Sequence, residues 1–141
     1  MSQTVLFICS GNFYRSRYAE AVFNHFAPNA LPAWKAISRG FKPHLATEDL
    51  SYLARERLQE KDIPLHHTAE KPCKLSREDL EDATVIVSLL ESQHRPLMKA
   101  HFPEFEEVSL YWEVYDIEDR PAEISLSLID ENVTRLIADL S

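Results

Sequence analysis

Cysteine is scarce in this chain of 141 residues, which carries only Cys9 and Cys73. Two thiols cannot build the disulfide framework of a small secreted domain, and without a C-x2-C pair the six scattered histidines give no zinc-ligand spacing. A reducing compartment, the cytoplasm, is the expectation. Long apolar runs are missing as well: nothing approaches the ~20 residues that span a bilayer. The opening MSQTVLFICSG lacks the basic flank and long apolar centre of a signal peptide. Positive charge is in deficit, with 15 Lys and Arg against 23 Asp and Glu for a formal net charge of −8. That balance argues against non-specific nucleic-acid binding and against an anionic membrane surface. Any anion must be held by a local site working against the global field. There is no internal repeat, low-complexity segment or linker. Residues 1–141 therefore read as one domain, large enough to bury roughly two thirds of its unfolded surface in a single core.

What the chain does contain is an alternation of short apolar runs and amphipathic stretches. TVLFI at residues 4–8 is a continuous apolar run of strand length, as expected for a strand covered on both faces. From Ser16 the period changes, and Ala19, Val22, Phe23 and Phe26 form one helical stripe that stops near Pro28. A second strand is expected at residues 34–38, and a helix over residues 47–63 with Thr47 as its N-cap. Ser76 opens a short helix with a Ser-x-x-Asp capping signal, residues 84–90 form a third strand, and residues 91–102 a helix interrupted by Pro96. A fourth strand falls at residues 106–112, and residues 124–140 place Leu126, Ile129, Val133, Leu136, Ile137 and Leu140 on one side of a last helix. The order β-α-β-α-α-β-α-β-α predicts an α/β fold: a four-stranded parallel sheet in a three-layer α/β/α domain with right-handed crossovers. Ligands bind such sheets beyond the carboxyl ends of the strands, where strand order reverses.

The loop after the first strand is then the first place to look, and Cys9 to Arg15 is that loop. A redox thiol, a buried core cysteine and a nucleophile are all consistent with Cys9 alone. A loop ending in a helix start aims several free N–H groups at one point, and the helix dipole adds partial positive charge there. Arg15 supplies a planar fork for two phosphate oxygens, and the same surroundings favour the thiolate of Cys9. Gly11 and Asn12 are residue types that tolerate the left-handed backbone an anion-wrapping loop needs. A thiolate, an amide cradle and a cation are the parts of nucleophilic displacement at phosphorus.

VLFICSGNFYRSRYAE resembles the N-terminal signature of the low-molecular-weight protein tyrosine phosphatases, V-L-F-V-C-x-G-N-x-x-R-S-P-x-A-E, in the manner of a divergent bacterial member. SRGF at residues 38–41 resembles that family's S-A-G-T stretch, and KLSREDLEDATVIVSL the segment leading into its third strand. The resemblance implies a metal- and cofactor-free hydrolase of phosphotyrosine proteins or aryl phosphates acting through a phosphocysteine, with a tyrosine kinase as possible opposing partner. Cys9 would be the nucleophile; Ser10, Gly11, Asn12, Phe13, Tyr14, Arg15 and Ser16 would hold the phosphoryl group, with the Ser16 hydroxyl steadying the thiolate. YWEVYDIEDRPAE offers Asp116 and Asp119 as the late-loop general acid; Asp116 is preferred for its W-x-V-x-D context, with Asp119 as runner-up. Three departures stand out. Tyr14 replaces a second cysteine of many members, Arg17 replaces a proline and adds a cation near the mouth, and Ile117 replaces the proline after the acid.

Two other functions compete. A thioredoxin-coupled arsenate reductase shares the loop but needs two further cysteines, and only Cys73 is available. A phosphate- or phosphotyrosine-binding module would keep Cys9 and Arg15 with a misplaced acid. Cys73 is expected to pack or to sit exposed without a resolving role. His66 and His67 read as a solvated loop. Tyr111, Trp112 and Tyr115 divide between core packing and an aromatic pocket wall, a part that Phe13 and Tyr14 inside the loop could also play.

Overall fold

The computed structural model describes residues 2–141. Four parallel strands, β1 (Gln3–Cys9), β2 (Trp34–Gly40), β3 (Val85–Ser88) and β4 (Leu110–Tyr111), lie in the order β2-β1-β3-β4. Five α-helices accompany them: α1 (Arg15–Phe26), α2 (Tyr52–Glu60), α3 (Arg77–Asp82), α4 (Glu91–His101) and α5 (Ala122–Leu140). The element order is the one that the sequence pattern implies.

β1 sits at the centre because its side chains are apolar on both faces. Val5, Phe7 and Cys9 point into a core shared with α1 and α5, while Leu6 and Ile8 point into a second core with Leu80 of α3 and Met98 of α4. Residues Val5, Leu6, Phe7 and Ile8 are fully buried, which is what an inner strand of a three-layer fold requires. The α1 stripe of Ala19, Val22 and Phe23 meets that first core, where Phe23 packs edge-on against Phe7 with ring centroids 6.2 Å apart. Leu126, Ile129, Val133 and Leu136 of α5 close the same face.

β1 pairs with β2 on one side (Val5 opposite Ala36) and with β3 on the other (Val5 opposite Val85). The connections leaving β1 and β3 therefore diverge at the carboxyl end of the sheet, and the crevice between them is set by topology. Among the described residues no helix is long and apolar enough to cross a membrane.

Three boundaries differ from the sequence expectation. The helix expected over residues 47–63 is shorter: α2 begins only at Tyr52, because Ser51 N–H is committed to the Phe13 carbonyl at 2.7 Å and the Glu48 carboxylate, not Thr47, receives the Tyr52 N–H at 3.3 Å. It ends at Glu60, where Asp62 turns left-handed (φ 57°) and Ile63 N–H closes back on the Leu58 carbonyl at 2.8 Å. The fourth strand shrinks from residues 106–112 to Leu110–Tyr111, since Glu106 and Glu107 turn their carboxylates to Arg95. By contrast the capping box at α3 forms as read, with Ser76 and Asp79 exchanging side-chain and backbone bonds.

Candidate active site

Strand β1 ends on Cys9 and helix α1 starts at Arg15, so five residues carry the chain around the crevice. The main-chain N–H groups of Ser10, Gly11, Asn12, Phe13 and Tyr14 donate to no acceptor among the described residues. Their carbonyls, in contrast, face outward to neighbouring loops: Cys9 to Phe41 N–H (3.1 Å), Ser10 to Lys42 N–H (2.8 Å) and Phe13 to Ser51 N–H (2.7 Å). Carbonyls tied back and amides left free leave one side of the loop rich in donors, which is the electrostatic signature of an anion cradle.

Asn12 takes the left-handed turn that this shape needs (φ 55°); Gly11, expected to share it, does not. The glycine that the geometry requires is Gly40, at the end of β2. A Cβ there would stand 2.7 Å from the Ser10 carbonyl oxygen and 3.0 Å from the Asn12 nitrogen, both main-chain atoms, so only glycine lets the loop rest against the strand.

Behind the loop runs a chain of buried polar side chains whose donors and acceptors can be assigned in order. Cys73 N–H donates to Asn12 Oδ1 at 2.8 Å, which fixes that amide; its Nδ2 then donates to Ser16 Oγ (2.8 Å) and Ser38 Oγ (3.1 Å). Ser38 donates on to Glu20 Oε1 at 2.8 Å, and Thr68 donates to the same oxygen at 2.6 Å. Ser16, having accepted from Asn12, keeps its O–H for the Cys9 Sγ at 2.9 Å.

Arg17 is the anchor of this chain, and its place overturns the expectation of a cation near the mouth. It is fully buried: Nε donates to Thr68 Oγ1 (2.6 Å), Nη1 to the Asp49 carbonyl (2.8 Å) and the Asn12 carbonyl (3.4 Å), and Nη2 to the Ala69 carbonyl. Burial pulls its pKa down, with Glu20, Cys9 and Asp49 acting against that; burial likewise pushes the Glu20 carboxyl up. Their nearest atoms lie 3.9 Å apart. Arg17→Leu would strand Glu20 in the core without its cation, an expected loss of about 3–5 kcal/mol in urea unfolding, whereas a loss below about 1 kcal/mol would mean that the pair carries no stability.

At the front, the buried Arg15 guanidinium is held from two sides. Nη1 donates to the Val114 carbonyl at 2.9 Å and Nη2 to Gln93 Oε1 at 2.8 Å, while Asp116 Oδ2 stands 3.4 Å from Nη2. The other Asp116 oxygen accepts the Ile117 N–H at 2.8 Å, a bond that a proline at residue 117 could not make. Asp119 donates its N–H to the Asp116 carbonyl in the following turn and is exposed, so of the two candidate acids only Asp116 reaches the crevice.

His94 supports the loop from α4. Leu90 N–H donates to its Nδ1 at 3.1 Å, so the ring proton sits on Nε2 and is directed to Ser10 Oγ, also at 3.1 Å. Burial first, and Arg15 second, push its pKa down to about 3, so the ring is neutral across the working range.

These parts surround a cavity of about 730 Å³ whose lining includes Ser10, Phe13, Tyr14, Tyr52, Leu97 and Asp116. The aromatic wall thus comes from the loop itself and from Tyr52. Trp112 instead packs on Phe7 with centroids 5.6 Å apart, and Tyr111 and Tyr115 lie under Arg95 and Arg120. Cys73 is exposed with a free thiol. His66 and His67 are joined by His25, whose Nδ1 lies 3.4 Å from His67 Nε2, a grouping the sequence did not suggest; burial and the other two rings lower the pKa of His67. Among the described residues no group of three or more His, Cys, Asp or Glu side chains could hold a metal ion.

Gln93 and Thr68 had no local signal, because each acts through a partner distant in the chain, whereas Glu20 and Gly40 fall inside the quoted motifs without showing there what they touch.

The family model described as "Low molecular weight phosphotyrosine protein phosphatase" matches residues 4–125. Among solved structures, a YwlE mutant from Bacillus subtilis aligns over 99% of both chains with a TM-score of 0.83 at 22% identity. The YwlE arginine phosphatase from Geobacillus stearothermophilus aligns over 98% of this chain and 92% of its own, with a TM-score of 0.79 at 24% identity. A low molecular weight protein tyrosine phosphatase from T. tengcongensis aligns over 99% of this chain and 97% of its own, with a TM-score of 0.77 at 28% identity. No curated protein matches the sequence.

Proposed function

The chain belongs to the low molecular weight phosphotyrosine protein phosphatase family, and from that premise we propose that it hydrolyses phosphotyrosine, in proteins or as small aryl phosphates, through a phosphocysteine on Cys9. One domain carries the whole site. The observation behind this reading is the run of N–H groups from Ser10 to Tyr14, unpaired among the described residues, in the loop that joins Cys9 to Arg15.

Cys9 Sγ attacks phosphorus as the bond to the leaving phenol oxygen breaks. The amides and the Arg15 fork hold the three equatorial oxygens, whose charge grows in the transition state. Asp116 gives its proton to the leaving oxygen and then, as a carboxylate, takes one from the water that attacks the phosphocysteine, releasing inorganic phosphate and the thiolate. The Ser16 hydroxyl supports sulfur both as nucleophile and as leaving group.

The substrate class follows from the wall. Phe13 and Tyr52 offer aromatic surface to an aryl group beside the cradle, with Tyr14 buried beneath them. A tyrosine kinase is then the opposing partner. Because a relative in fold is an arginine phosphatase, the discriminating assay sets a phosphotyrosine peptide against a phosphoarginine peptide of the same sequence, with a metal chelator present. The expected result is release from phosphotyrosine with kcat/KM at least ~10-fold higher, the order of one well-filled apolar contact; the reverse preference would overturn the substrate assignment.

A catalytically weak phosphate-binding module is the second reading, and one bond favours it. Ile117 N–H occupies Asp116 Oδ1 at 2.8 Å and ties that oxygen to its own main chain, leaving only the other to reach a leaving group. Such a module would bind inorganic phosphate and release none from the peptide.

A further inference from the structure

Tyr14 is buried to within 2% of full enclosure, yet its hydroxyl has no hydrogen-bond partner. A buried hydroxyl without a partner is rare in folded proteins and asks for a reason. The neighbouring Ser125 hydroxyl sends its own proton to the Tyr115 carbonyl at 2.9 Å, so toward Tyr14 its oxygen could only accept, and among the described residues no bond of hydrogen-bond geometry joins the two. Tyr14 and Asp116 line the same cavity, and the phenol lies within the fields of the Asp116 carboxylate and the Arg15 guanidinium.

In the ligand-free site Asp116 Oδ2 has, among the described residues, a single cationic partner, Arg15, at 3.4 Å. That partner is lost once Arg15 turns its fork to a phosphoryl group. We propose that the Tyr14 hydroxyl takes over at that moment: Tyr14 is a positioning residue for the Asp116 acid, donating a hydrogen bond to the carboxylate that remains after Asp116 has protonated the leaving oxygen. No proton leaves Tyr14. Burial, and then Asp116, push its pKa up to about 12, so it stays a donor throughout. The bond stabilises Asp116 in the phosphoenzyme and holds it toward the incoming water. Tyr14 thus supplies, from the N-cap position of α1, the placement that residue 117 as isoleucine does not.

This inference rests on Asp116 being the acid, so the test carries its own control. Values of kcat/KM are measured for a phosphotyrosine peptide and for nitrophenyl phosphate with wild type, Tyr14→Phe, Ser125→Ala, Asp116→Asn and the Tyr14→Phe/Asp116→Asn double variant. Tyr14→Phe is expected to lose about 10-fold or more on the peptide, as for a hydrogen bond to a charged group, and little on the activated ester. Ser125→Ala leaves both rates near wild type, and the double variant is no slower than Asp116→Asn. Tyr14→Met, which fills the ring's space without a hydroxyl, shows the same split between esters.

Equal losses on both esters, additivity with Asp116→Asn, or Ser125→Ala matching Tyr14→Phe would overturn the assignment. If Asp116→Asn itself shows no leaving-group dependence, the acid is elsewhere and the parent mechanism fails with it. If Asp116→Asn behaves as an acid variant and Tyr14→Phe is silent, only the role of Tyr14 falls.

Discussion

Cys9→Ser abolishes turnover of every phosphate ester, by roughly 10⁴-fold or more, while the protein still folds and still binds inorganic phosphate. The substitution is nearly isosteric at a buried position, so the β1 core and the amide ring keep their shape. What disappears is the nucleophile. A serine hydroxyl needs a base to become reactive, and the only side chain bonded to this atom is Ser16, another hydroxyl at 2.9 Å. Phosphate affinity depends instead on the free amides from Ser10 to Tyr14 and on Arg15, none of which changes. Calorimetric titration with inorganic phosphate beside a turnover assay separates the two effects. Retained turnover would remove Cys9 from the mechanism; lost phosphate binding would mean that the loop collapses without its sulfur.

Asp116→Asn lowers kcat/KM for a phosphotyrosine peptide by ~10²- to 10⁴-fold, the usual weight of a positioned general acid, and lowers kcat/KM for nitrophenyl phosphate far less. Nitrophenolate departs without a proton, so the first step no longer needs Asp116. The second step still does, because water must lose its proton to attack the phosphocysteine, and the intermediate should therefore accumulate. Asparagine keeps the size and most of the packing of the residue, but it removes the ion pair with Arg15 and cannot deliver a proton in either direction. The ratio of the two losses decides the matter. A similar loss on both esters would show that Asp116 matters for holding Arg15 and not for protonation, and attention would then pass to Asp119.

How much of this could be read from the chain depends on whether the information is local. The β1 run, the phosphate loop and the α1 stripe are contiguous, so period and residue type place Cys9, Asn12, Arg15 and Ser16 correctly. The capping box at Ser76 is equally local and forms as expected. Contacts between distant segments are where sequence reading runs out. Thr47 looks like an N-cap, but α2 starts at Tyr52 because Phe13, far back in the chain, binds the Ser51 amide. Arg17 looks like a surface cation on a first helical turn, yet the carbonyls of Asn12, Asp49 and Ala69 converge to bury it. Gly40 gives no reason of its own for being glycine until the phosphate loop is packed on it. Of the aromatic wall, Phe13 and Tyr14 are legible in the loop, while Tyr111, Trp112 and Tyr115 carry the right chemistry but face other partners.

The preference for Asp116 over Asp119 has its basis in the pairing with Arg15, whose guanidinium is reached across the crevice from the loop that follows β4. Gln93 completes the same clamp from α4. Three elements separated in sequence therefore hold one guanidinium beside the loop in the ligand-free site.

The covalent step is the claim on which the rest stands, and it can be seen directly. Asp116→Asn is mixed with nitrophenyl phosphate, quenched in acid within the first turnover and analysed by peptide mass spectrometry. The account predicts the mass of one phosphoryl group on the peptide that contains Cys9, absent when Cys9 is also replaced by serine. Turnover of the ester with no phosphoryl group on that peptide, or with the group on another residue, would contradict it.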